Sequence, residues 1–147
     1  MVAYLIDEAR DWLPMSKFAR MIEFKSTQFP RTALDDELIN HEHMYGHALS
    51  EFIGAELEKR GHEVDYLVED WGWFCIILSS DPTLAYGVSA ENDSDEFLIQ
   101  FIPDKPYVRK MVFKKIDVSE PLLALQESVF DILSKAPNSQ PPRWIER

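Results

Sequence analysis

Four-residue spacing brings His43, His47 and Glu51 onto one stripe of a helix, and imidazoles with a carboxylate are donor types that bind zinc. Three ligands on one straight helix are spread over about 12 Å at 1.5 Å rise per residue, too far apart to converge on one ion. His41-Glu42 opens like the zinc-protease motif, but Tyr45 stands where that motif needs its second histidine. The stripe also lies roughly opposite Tyr45, Leu49 and Ile53, which predicts a solvated helix face. The expectation is therefore no metal and no cofactor. His43 and His47 remain the residues on which the alternative would rest, a small metal-dependent hydrolase with carboxylates from elsewhere in the chain.

Other candidate chemistry resolves in the same way. Glu91 and Asp93-Ser94-Asp95-Glu96 gather carboxylates in one turn, but the glycine and the later bidentate glutamate of a calcium-binding EF-hand loop are missing, so a solvated hairpin turn is expected. Lys105, Arg109, Lys110, Lys114 and Lys115 place five of the 15 basic residues within eleven positions, which fits charges on the solvent face of a strand. The single Cys75 lies in the apolar run Trp73 to Leu78, where a thiol acts as a small core filler. Nucleophile motifs, a phosphate-cradling loop and a dinucleotide fingerprint are absent from the sequence. A net charge of -11 repels polyanions, which disfavours nucleic acid and suits docking on a basic protein.

The segment that stays open is Glu69-Asp70-Trp71-Gly72-Trp73. Glu69 to Gly72 fits a type I turn with Gly72 in the left-handed position, returning the chain as a hairpin. Trp73 then falls in the following strand as core, while Trp71 sits near the tip. Glu69, Asp70 and Trp71 are the candidate binding residues, since exposed tryptophans dominate interface energetics. Leu57-Glu58-Lys59-Arg60-Gly61-His62-Glu63-Val64 followed by this turn resembles a segment of small, uncharacterised bacterial proteins in which a helix and an RG turn lead to a strand and an EDWGW turn. The resemblance covers residues 45–78. It implies a bacterial origin and a shared α+β unit, and it carries over no functional residue.

These residues must be positioned by elements that the periodicity predicts. Met1 to Trp12 fits a short helix ended by Pro14, and Met21 to Lys25 fits an edge strand. Thr32 with Asp35 resembles a capping box, and Asn40 offers a second start for a long helix. The body of that helix is the stripe Tyr45, Ala48, Leu49, Phe52, Ile53 and Leu57, closed by Gly61. From Glu63 the period becomes two. Strands are expected over 64–69, a doubly covered 73–78, 84–90, 97–101 and a single strand from Tyr107 to Ile116. Ser119 is expected to cap a last helix carrying Leu122, Leu125, Val129, Ile132 and Leu133, stopped at Ala136-Pro137, with Trp144 and Ile145 tacking down the tail.

Short connections favour antiparallel neighbours. The expected fold is a single α+β domain over residues 1–147, an antiparallel sheet of five to six strands with two main helices mainly on one face. Asp7 and Glu8 stand where a signal peptide carries basic residues, and no run reaches the ~18 apolar residues of a membrane span, so a cytoplasmic setting is expected. The functional expectation is a small acidic binding module, of the immunity-protein or antitoxin kind, with a basic protein as partner.

Overall fold

The computed structural model describes residues 19–39, 44–91, 94–104, 107–111 and 114–146. The helix expected over Met1 to Trp12, the alternative cap Asn40, and His41 and His43 lie outside these residues, as do Asp93 and Lys105. Among the described residues no helix is long and apolar enough to cross a membrane.

The architecture is α+β with an antiparallel sheet. Its main path begins with the hairpin β3 (Val64–Glu69) and β4 (Gly72–Ile77), then continues through β5 (Leu84–Glu91) and β6 (Glu96–Ile102). It ends with β1 (Met21–Lys25) and the short β9 (Arg143–Ile145). β2 (Met44–Tyr45) takes over beside β5 where β4 has ended, pairing Tyr45 with Ala90 after the last β4 pair, Trp73 with Val88. Residues 107–116 turn out to be two strands. β7 (Tyr107–Met111) and β8 (Lys114–Asp117) form a separate hairpin in place of the one long strand expected. β1 is not an edge, because β9 pairs along its outer side.

Register assigns the faces. Val68, Trp73, Val88, Ile99 and Ile22 form one row across five strands, and Tyr66, Cys75, Tyr86 and Phe101 form the next. These inward residues meet α2 (His47–Lys59), which contributes Leu49, Ile53 and Leu57, and α3 (Ser119–Ser134), which contributes the apolar stripe expected of it. Together they make one core. The opposite face carries the rows Leu67, Phe74, Gly87, Gln100 and Asp65, Ile76, Ala85, Ile102.

Thr32 does form the capping box with Asp35, but it starts only the short α1 (Ala33–Leu38), and Tyr45 belongs to a strand. Gly46 is the residue before α2, so the long helix starts later than either proposed cap. Ser119 does not cap α3. Its hydroxyl and amide both donate to Asp117 Oδ1, which holds that carboxyl below its usual range. The tail is tacked down as expected: the Trp144 ring stacks on Phe130 at 4.8 Å, and the Arg20 guanidinium lies 3.6 Å above the Trp144 ring.

Candidate functional site

Antiparallel pairing of Glu69 with Gly72 leaves Asp70 and Trp71 as a two-residue hairpin tip. Gly72 adopts a φ of +151°, and a Cβ there would overlap the Val88 carbonyl oxygen, so the turn needs glycine for conformation and for space. Glu69 and Asp70 are exposed. Trp71 is half-buried: its indole folds back onto the outer sheet face, where a Cβ added to Gly87 would stand 2.7 Å from the ring. Trp73 lies within β4 and enters the core, whereas Trp71 belongs to the turn before the strand, is not bound by the strand's alternation, and folds onto the other side. The three candidate residues therefore occupy one corner, bordered by Leu67, which is 46% exposed, and by half-buried Phe74.

Trp73 leads to a cluster that the periodicity did not reveal. Its indole N–H donates to Asp35 Oδ1 at 2.8 Å, and the amides of Gly46 and His47 donate to the same oxygen at 3.0 and 3.1 Å. Oδ2 accepts the amide and the hydroxyl of Thr32. Asp35 is 1% exposed, yet both oxygens are satisfied, and its negative charge sits at the positive end of the α2 dipole. One side chain thus ties α1, the start of α2 and β4 together. The only sequence signal for it was its place in the capping box.

His47 is buried, not solvated as its stripe predicted. Its ring packs against Trp73 with centroids 4.7 Å apart, its Nδ1 lies 3.4 Å from Thr32 Oγ1, and its Nε2 lies 3.4 Å from Glu51. Thr32, His47 and Glu51 echo a nucleophile, base and orienting acid. The hydroxyl carries a single proton, however, and the acceptor-only Asp35 carboxylate takes it, so Thr32 is not poised for attack. Among the described residues no group of three or more His, Cys, Asp and Glu is placed to hold a metal. Two surface clefts lined by described residues both lie away from His47. One of about 1180 Å³ runs along β1, β6 and the C-terminal tail, with the Glu23–Arg143 ion pair on its wall; the other, of about 390 Å³, lies beside Trp144.

Cys75 is buried as expected, and burial pushes its thiol up to about 12, far from a reactive thiolate at neutral pH. Tyr66 is likewise pushed up to about 12 by burial, with Cys75 and nearby glutamates adding to the effect.

Comparison with protein-family models, with curated proteins and with solved structures returned no match. Functional conclusions therefore rest on the chain's own residues.

Proposed function

We propose that this chain is an acidic binding module that docks a basic protein on the corner formed by Glu69, Asp70 and Trp71. This is the manner in which an immunity protein or antitoxin engages a basic toxin. The observation that carries the reading is the position of Trp71, which lies outside the core on the sheet face opposite α2 and α3, beside exposed Leu67 and two exposed carboxylates. Interfaces concentrate their energy in such aromatic anchors, and an acidic surround adds steering toward a cationic partner. The overall charge of -11 extends that steering beyond the contact itself.

The test is retention of protein from an extract of the source cell on the immobilised chain, at low and raised salt. Wild type should retain a basic protein that Trp71→Ala and the pair Glu69→Lys, Asp70→Lys do not hold, with salt weakening retention. If nothing basic is retained, or if all variants retain it equally, the reading is wrong.

A further inference from the structure

β3 ends the main sheet, and among the described residues no strand pairs along its outer side. The register shows which backbone groups face that side. The Leu78 amide donates to the Glu63 carbonyl, and two-residue steps then bring Asp65 opposite Ile76, Leu67 opposite Phe74 and Glu69 opposite Gly72. Those residues direct their amides and carbonyls at β4, so Val64, Tyr66 and Val68 direct theirs outward. One outward group is closed locally: the Tyr66 N–H donates to the Asp65 carboxylate at 2.9 Å.

A sheet edge of six residues is a template for another strand, and this one selects what can join it. Asp65, Leu67 and Glu69 stand exposed along it. A second copy is a poor match, because antiparallel pairing centred on Leu67 sets Asp65 opposite Glu69, and like charges directly opposite are destabilising. Cations at those two positions reverse the sign. A strand with basic residues opposite Asp65 and Glu69 and apolar residues between them satisfies the charges while covering Leu67.

Resting on the basic-partner reading above, we propose that the outer edge of β3 receives an extended basic segment of the partner protein as an added strand. A cation opposite Asp65 draws its carboxylate off the Tyr66 N–H, and that amide then bonds a carbonyl of the incoming chain. A neutral strand meets an amide already closed. Asp65 therefore couples recognition of charge to opening of the edge, and Trp71 lies two residues beyond the end of the strand as a neighbouring anchor.

The probe is the peptide Thr-Lys-Val-Leu-Val-Lys-Thr, with forms in which Glu or Gln replaces Lys and a form N-methylated at the amides that would face β3. Calorimetric titration should show binding of the Lys form, none of the Glu form, and at least about tenfold weaker binding after N-methylation, which removes backbone donors and keeps the charge. Hydrogen exchange at the Tyr66 amide should slow when the Lys form binds. Asp65→Ala, at an exposed position, should narrow the preference for Lys over Gln. Undiminished binding of the N-methylated form, or exchange at Tyr66 that does not slow, overturns strand addition and leaves the basic-partner reading standing. No peptide binding while the extract yields a basic protein dependent on Trp71 overturns strand addition alone. Failure of both experiments removes both readings.

Discussion

Replacing Asp35 tests whether one buried carboxylate holds the hairpin corner in place. Asp35→Ala leaves the Gly46 amide, the His47 amide and the Trp73 indole N–H without the oxygen they share. Hydrogen bonds to a charged group contribute about 1.5 to 3 kcal/mol each, so losing three costs about 4 to 5 kcal/mol even at the lower bound. Loss of the bonds that Thr32 donates to the carboxylate adds about 1 kcal/mol, while the Thr32 hydroxyl still accepts from the backbone amide of residue 35. That total is comparable to the whole stability of a marginal domain, typically about 5 to 15 kcal/mol. Asp35→Asn is the discriminating control. With its amide oxygen in the place of Oδ1, the three buried donors stay satisfied, and the new NH₂ faces only the Thr32 amide and hydroxyl, a loss of about 1 to 2 kcal/mol. Urea unfolding followed by tryptophan fluorescence and circular dichroism, with unchanged m-values, measures both variants. If Asp35→Ala costs less than about 1 kcal/mol, or if Asn is as damaging as Ala, the carboxylate is not the tie described here.

Two further outcomes follow from the glycines and the buried thiol. Gly72→Ala should destabilise the chain by about 3 kcal/mol or more, since the added methyl meets the Val88 carbonyl at a positive φ, whereas Gly61→Ala, with φ +95° and open space around it, should cost only about 1 kcal/mol in the same unfolding assay. Cys75 stays protonated in the folded chain up to about 12, whereas its ordinary value is 9.0, so the unfolded chain loses that proton first as pH rises. Stability is therefore unaffected by this group below pH 9.0 and falls between 9.0 and about 12, and Cys75→Ala should remove this share of the decline in denaturation midpoint, most visibly between pH 9.0 and 10.0, below the range in which Tyr66 adds a loss of the same sign.

Much of the fold was legible because it rests on local periodicity. The two-residue alternation from Val64, the apolar run after Gly72 and the stripe on α3 each place a buried face wherever their neighbours come from. The long helix was misread at its start for a related reason. Its buried face includes His47, Ser50 and Gly54 as well as Leu49, Ile53 and Leu57. An apolar pattern cannot register the first three: Gly54 is bare to admit the Tyr66 hydroxyl, and Ser50 is buried because its own hydroxyl bonds the Gly46 carbonyl. Counting only apolar residues rotated the predicted face and turned His47 toward solvent.

The α+β class, the tight turn at Gly72, the division of the two indoles into core and non-core, and the acidic balance of charge are all written in residue type and short-range spacing. Which residues share a site depends instead on contacts between distant segments. Asp35 meets Trp73 across 38 positions of the chain, and Trp71 finds its seat on Gly87 across a strand pair. Such meetings are set by strand order and register, which follow from the packing of the whole core and leave no trace in local spacing. The same holds for the edge of β3: its alternation is written in the sequence, but its position at the end of the sheet, with the Asp65 carboxylate closed over the Tyr66 amide, exists only in the folded chain.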